Sequence, residues 1–345
     1  MAPTTTKQWI FKGTNGFDDL AFTEAEIPPV AENDVLVHLR GASLNYRDLI
    51  IPKGLYPFPI KFPVVAGSDG AGEVIAVGSK VTRWKPGDRV VTLFNQSHYY
   101  NPIDPIAVNS GLGGALDGTL RQYAVFNENG LVRAPSNLNY VEAATLTCAG
   151  LTAWNALFGG KPLKPGQWVL VQGTGGVSIF GLQFAKAAGA RVIATTSTAE
   201  KAEILKKLGA DHVINYKEDP NWGETARKLT DGEGVDQILE VGGPQTQEQS
   251  IKAVRSDGVI NIIGLLGGVE PKGDARIIHA LWHLCTFRGV FVGPRGQFEE
   301  MVRAIEANDI KPVVDKEVFP LEKAKEAFEY MEAQRHFGKV GIAID

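Results

Sequence analysis

The chain reads as an α/β protein in which a doubly wound parallel sheet is inserted into a β-rich domain. Three observations predict this. Residues 168–201 run strand, glycine turn, helix and strand without interruption. Strand and helix patterns then keep alternating to about residue 292, which calls for a parallel sheet covered on both faces. Residues 9–93, by contrast, carry short β-type runs punctuated by proline and glycine, and the tail after 295 returns to mixed character. A length of 345 residues allows two domains with substantial cores.

Composition narrows the function classes. Hydrophobic residues make up 44% and charged residues 21%, the balance of an ordinary soluble globular protein. A net charge of −4 leaves no electrostatic footprint for nucleic acid or an anionic membrane. No apolar run is long enough to span a bilayer, and the N-terminal residues MAPTTTKQWIFKG lack a signal-peptide core. Only Cys148 and Cys285 are present, so neither a disulfide framework nor a cysteine-rich zinc lobe can form. The expected setting is reducing and cytoplasmic, and the chain is expected to be one complete unit rather than a piece of a synthase.

In chain order, residues 9–39 alternate in a β manner around Pro28-Pro29 and Asn33-Asp34, with a strand at 35–39 (VLVHL). Residues 44–51 (LNYRDLII) read as a short helix or turn, followed by a proline-rich loop. Strands are expected at 73–77, at 89–93 after the Pro86-Gly87-Asp88 turn, and at 119–125. Residues 95–118 hold His98, Tyr99, Tyr100 and several glycines without periodicity, and a loop of that length is usually functional or mobile. Helical pattern begins near residue 141 and runs through Cys148 and Trp154. After the central unit, strands are expected at 212–216, 235–241, 259–263 and 287–292. Helices are expected through 204–208, around 224–230 and near 245–254, then at 297–308 and 321–334 before a last strand at 339–344.

The central unit carries the first functional reading. Residues 168–172 (WVLVQ) form an apolar strand and Gly173, Thr174, Gly175 and Gly176 follow at once. Val177, Phe180, Gly181, Phe184, Ala185 and Ala188 then recur at helical spacing up to Gly189. Glycines let the backbone approach a pyrophosphate closely, and the helix that starts there aims unpaired N–H groups and its positive dipole end at the phosphates. The strand before and the helix after give the glycine pattern its context as a dinucleotide site, the Rossmann turn. A serine, Ser178, stands where a third glycine is usual, which predicts slightly looser helix–strand packing. An acidic residue at the end of the second strand would hold the ribose hydroxyls of NAD. Thr196 and Ser197 stand there instead, with Lys201 close behind, so the reading favours NADPH. Ser197 and Glu200 also have capping-box spacing, which is compatible with a phosphate site.

Several motifs occur together in a familiar order. They are Asn45-Tyr46-Arg47-Asp48, Gly67-Ser68-Asp69-Gly70-Ala71-Gly72, Cys148-Ala149-Gly150-Leu151-Thr152-Ala153, Gly173-Thr174-Gly175-Gly176-Val177-Ser178, Leu208-Gly209-Ala210-Asp211 and Ile214-Asn215-Tyr216. Over nearly its whole length the chain resembles the medium-chain dehydrogenase/reductase superfamily. Within it, the chain looks most like the zinc-independent quinone oxidoreductase and enone reductase branch of the alcohol dehydrogenases. The resemblance implies a GroES-like catalytic domain at 1–128 and 295–345, a Rossmann NADPH-binding domain at 129–294, a cofactor cleft between them and, commonly, a homodimer. It also implies that Thr152 packs against the nicotinamide and that Tyr216 lies near the adenosine 2′-phosphate. Gly264 and Leu265 would border the nicotinamide, and Arg295 would reach the cofactor or the cleft or else be a surface arginine.

The zinc enzymes of the superfamily hold their catalytic metal with Cys, His and Cys. Asn45 and Ser68 match the first two positions and only Cys148 remains of the three, a poor zinc set. His98 alone is a packing residue more often than a ligand, and no metal is expected. Without a Lewis acid, hydrogen bonds must hold the substrate oxygen while hydride adds to the β-carbon of a conjugated carbonyl. By resemblance Asn45, Tyr46 and Tyr56 line the site. Arg47 either binds substrate oxygen or faces a carboxylate, with Asp48 and Asp69 as candidates. The expected function is an NADPH-dependent reductase of an activated C=C or a quinone. The alternatives are a zinc-free alcohol dehydrogenase, carbonyl reductase or biosynthetic tailoring reductase, and a non-catalytic NADPH-binding protein.

Overall fold

The computed structural model describes residues 3–264, 266–268 and 275–345. The chain divides into two compact units, Met1–Leu151 with Pro294–Asp345, and Thr152–Gly293. The division falls later than the boundary at 128/129 read from the sequence. Residues 129–151 stay with the first unit because Leu131–Arg133 pairs with Arg89–Thr92 and the helix Tyr140–Ala144 packs on Asp34–Ser43.

In the first unit the main sheet runs Val314–Pro320, Lys339–Ala343, Asp34–Ser43, Asp69–Val77, Arg89–Thr92, Leu131–Arg133, and Tyr123–Asn127 also pairs with Asp34–Ser43. A smaller sheet joins Leu20–Glu26, Thr5–Phe11 and Val64–Val65. Phe11, Leu39, Phe126, Phe328 and Ile342 meet in its core, so residues from both ends of the sequence close one apolar interior. The last strand lies antiparallel to Asp34–Ser43, with Gly341 opposite Ser43 and Ile342 opposite Ala42. This register brings Lys339 beside Leu44 and Asn45. The sequence did not predict the strand Val314–Pro320. The loop 95–118 is more ordered than its composition suggests: Asp104 caps the short helix Pro105–Val108, and Asn95 bridges to Gly111.

The second unit is one parallel sheet in the order His212–Asn215, Arg191–Thr196, Trp168–Gln172, Val235–Glu240, Val254–Ile262, Thr286–Gly289. Trp168–Gln172 comes first in the chain and lies in the middle, so strand order reverses beside it, where open α/β sheets bind ligands. Leu170, Ile193, Ile238 and Ile260 fill the interior of this unit. Ile179, Phe180, Leu182 and Phe184 bury one face of the helix Gly176–Ala187. The expected helix through Cys148 and Trp154 is interrupted, with a π turn at Leu146–Gly150 ahead of the helix Leu151–Phe158. Among the described residues, no helix is long and apolar enough to cross a membrane.

Candidate active site

The nucleotide turn is built as its glycines require. Gly173 has φ +74°, and its N–H donates to the Thr195 carbonyl at 3.0 Å, which ties the turn to the neighbouring strand. Gly175 is the N-cap of the helix Gly176–Ala187, with no acidic side chain in the first turn. A Cβ placed on Gly173 or Gly175 would meet nothing within 4 Å, so open space faces the helix N-terminus. Thr174, Gly176 and Val177 are half-buried at the same edge. These features fit a pyrophosphate.

The expectation of looser packing at Ser178 is corrected. Its Oγ donates to the Gln172 carbonyl at 2.6 Å and fastens the helix to the strand. Close approach is supplied one turn later by Gly181, where a Cβ would come within 2.4 Å of Leu239 Cδ2.

At the end of the second strand no acidic side chain stands among Thr196, Ser197 and Thr198. Thr196 is almost wholly buried, whereas Ser197 and Lys201 are half-buried. The helix cap is also corrected: Thr198, not Ser197, caps Ala199–Lys207, its Oγ1 accepting from the Lys201 N–H at 3.3 Å. Tyr216 is exposed, with its N–H on the Thr196 carbonyl at 3.0 Å. Gly264 follows Val254–Ile262, and Leu265 lies outside the described residues. Thr152 is buried in the helix Leu151–Phe158.

Beneath the strand ends lies a polar network that sequence reading missed. Gln172 Nε2 donates to Glu240 Oε2 at 2.7 Å and contacts Ser250 Oγ at 2.9 Å. Gln172 Oε1 accepts from the N–H groups of Val241 and Gly242, and Glu240 Oε1 from those of Gly242 and Gly243. Satisfying these groups fixes where the strands end. The signal was a Gln closing the apolar run 168–172 and a Glu closing the strand Val235–Glu240 after Ile238 and Leu239.

In the first unit, the short helix Tyr46–Ile50 carries the expected cluster. Asp48 Oδ2 accepts from the Asn45 N–H at 2.9 Å and holds the start of the helix. Arg47 is buried, paired with Asp48 Oδ1 at 2.9 Å, and its guanidinium lies 4.9 Å from the ring centres of both Tyr56 and Phe94. Arg47 therefore faces a carboxylate, that of Asp48. Burial pushes the Tyr56 phenol above its ordinary range, against the pull of Arg47, so the hydroxyl keeps its proton at neutral pH. Tyr46 is half-buried against the apolar core.

Asp69 does not pair with Arg47. Its Oδ2 accepts from Ser43 Oγ at 2.6 Å and lies 3.2 Å from Lys339 Nζ. Lys339, only 4% exposed, also donates to the Leu44 carbonyl and to Asn45 Oδ1, the latter at 2.5 Å. Asn45 Nδ2 is 3.5 Å from Ser68 Oγ. Burial, with Asp69 nearby, pushes the Cys148 thiol up to about 12. Lys339 was missed because it opens an apolar strand some 290 residues after Asn45, and its signal was a lysine at the head of the run KVGIA.

Of its readings, the surface one does not hold for Arg295. It is buried, donates to the Asn129 carbonyl at 3.2 Å and Oδ1 at 3.0 Å, and stacks 4.8 Å from the Tyr99 ring centre. The structure therefore gathers Asn45, Arg47 and Tyr56 with Ser68, Asp69 and Cys148, and leaves Tyr46 at its margin.

Residues 31–136 match the alcohol dehydrogenase GroES-like domain family, and residues 176–307 match the zinc-binding dehydrogenase family. A zinc-type alcohol dehydrogenase-like protein of Schizosaccharomyces pombe is 50% identical over 336 residues, 96% of this chain and 97% of that one. The chain belongs to the medium-chain dehydrogenase/reductase family. It is an oxidoreductase of the alcohol dehydrogenase superfamily. Among solved structures, an NAD-dependent alcohol dehydrogenase superposes with a TM-score of 0.88 at 32% identity, covering 98% of this chain and 100% of that one. A Pseudomonas syringae quinone oxidoreductase superposes with a TM-score of 0.82 at 27% identity, covering 98% and 99%.

Proposed function

We propose that this member of the medium-chain dehydrogenase/reductase family is an NADPH-dependent reductase of activated C=C bonds or quinones that works without zinc. The carrying observation is the chemistry at the positions that resemble zinc ligands. Asn45 offers one acceptor oxygen, already held by the Lys339 ammonium. Ser68 offers a neutral hydroxyl, and Cys148 is the one thiol of the three. This set does not fit zinc, which favours thiolate and imidazole. It does fit a site that holds an oxygen by hydrogen bonds.

NADPH, when bound, would supply the hydride. The turn Gly173–Gly175, with Gly176 and Val177 in the helix's first turn, would bind its pyrophosphate, and Ser197 and Lys201, with Tyr216 near, its 2′-phosphate. Thr152 and Gly264 would border the nicotinamide, as the family resemblance implies. Addition of hydride to the β-carbon moves an electron pair onto the carbonyl oxygen, and a solvent proton then closes the α-carbon. Asn45 Nδ2–H and the protonated Tyr56 hydroxyl are the donors for that developing charge. A second reading, reduction of an isolated carbonyl, is favoured by the alcohol dehydrogenase names of the relatives. We further propose that the protein works as a homodimer.

Oxidation of NADPH and of NADH, followed by absorbance with a panel of enones, quinones and simple ketones, tests the reading. Saturated ketones as products support it. Allylic alcohols, or turnover of simple ketones alone, support the second reading. One equivalent of zinc in the purified protein, removable only with loss of activity, would overturn the zinc-free mechanism.

A further inference from the structure

The Lys339 ammonium has three N–H donors and three neighbours that accept: the Leu44 carbonyl, Asn45 Oδ1 and Asp69 Oδ2. An ammonium has no acceptor, so the Asn45 carboxamide can face it only with Oδ1. The opposite rotation would set two N–H groups against a cation. Nδ2 is therefore forced to the other side, where its neighbour is Ser68 Oγ at 3.5 Å, too long for a strong bond. Two N–H donors with one weak partner leave donor capacity to spare. Net charge does not explain the arrangement. Lys339 is balanced by Asp69, and Arg47 by Asp48, so the cluster sums to zero and acts through orientation.

We infer that Lys339 is a positioning residue: it locks the Asn45 carboxamide so that Nδ2–H is the fixed donor to the oxygen of the acceptor substrate. The inference deepens the reductase reading and rests on it for the identity of that oxygen as an enolate or quinol oxygen. A donor fixed in advance does not have to reorient as charge develops, and loss of one such donor costs roughly 100- to 1,000-fold in kcat. The final strand thus serves the reaction from the far end of the chain.

The test uses 4-nitrophenolate, an oxyanion whose absorbance reports hydrogen bonding, titrated into the full-length protein holding NADP+. The wild type should bind it. Lys339→Met and Asn45→Ala should each weaken binding at least tenfold, and the double variant should be no worse than either single, because both remove the same donor. If Lys339→Met fails to fold, Lys339→Arg takes its place. It keeps a charge beside Asp69 but cannot set one N–H on Asn45 Oδ1 in the same geometry, and it should also weaken binding. Losses that multiply in the double variant, unchanged affinity in the lysine variant, or no binding by the wild type would overturn the inference. If the phenolate pattern holds while the wild type turns over no enone or quinone, the reductase reading fails and the positioning of Asn45 stands.

Discussion

On the proposed reading, Ser197 and Lys201, just past the second parallel strand, set the preference for NADPH. Ser197 and Lys201 are both half-buried there, and no carboxylate stands in the stretch 196–198 to repel a phosphate or to hold ribose hydroxyls. A charge-assisted contact to the 2′-phosphate is worth about 1.5–3 kcal/mol. Lys201→Ala should therefore weaken NADPH by roughly tenfold or more and leave NADH within about twofold, measured by titration calorimetry. Equal losses for the two cofactors would sink the assignment. Thr196, read from sequence as a partner in this contact, is instead buried at the strand's end. Side-chain direction in a strand follows from register, and a short hydroxyl residue is compatible with either face.

The parallel sheet was legible because apolar runs such as residues 168–172 are followed at once by a helical period. The strand read at 168–172 matches the structure, and that read at 235–241 ends one residue earlier. The first unit was less legible. Val314–Pro320 reads DKEVFP after its first valine, with Lys316 and Glu317 exposed but Asp315 buried beside Tyr330, and pairs with a strand that the chain reaches only at Lys339. Partners that distant leave no local pattern. The site divides in the same way: Gly173–Gly175 is a local signature, whereas Lys339 and Asn45 meet only through tertiary pairing. Two predictions belong to this scale. Gly175 has φ −78° and open space where a Cβ would stand, so Gly175→Val should leave the melting temperature within about two degrees yet weaken NADPH at least tenfold, by filling the phosphate's place. Unchanged affinity would place the nucleotide elsewhere. The helix Arg295–Ala307 is tied to Leu131–Arg133 through Glu306, whose carboxyl is held at about 2 by hydrogen bonds from Arg133 and, against some burial, from Ser136. A folded value below the unfolded one stabilises above the unfolded value and is lost as pH falls towards about 2. Melting curves from pH 5 to 2 should therefore fall more steeply for the wild type than for Glu306→Gln, and parallel curves would show that the contact carries no stability.

On the scale of the whole molecule, the edge strand Thr286–Gly289 ends the parallel sheet with no strand beyond it among the described residues. Just before it, Ile277 is 86% exposed, Leu281 65%, Trp282 60% and Leu284 65%. Large apolar side chains grouped beside an open strand edge are a liability in a monomer, because both the backbone groups and the apolar surface invite another chain. A second copy related by a two-fold axis would satisfy both at once, since identical edges pair antiparallel and each patch meets its own copy. Trp282 and Leu281 would then be the anchors, aromatic and aliphatic side chains being the ones that dominate such contacts. Sedimentation of the purified protein at micromolar concentration should give the mass of two chains. Leu281→Glu combined with Trp282→Glu should give one chain with intact NADPH binding, because neither residue belongs to the nucleotide turn. A wild type that remains a single chain would overturn the homodimer, and a double variant that remains paired would remove this face from the assembly.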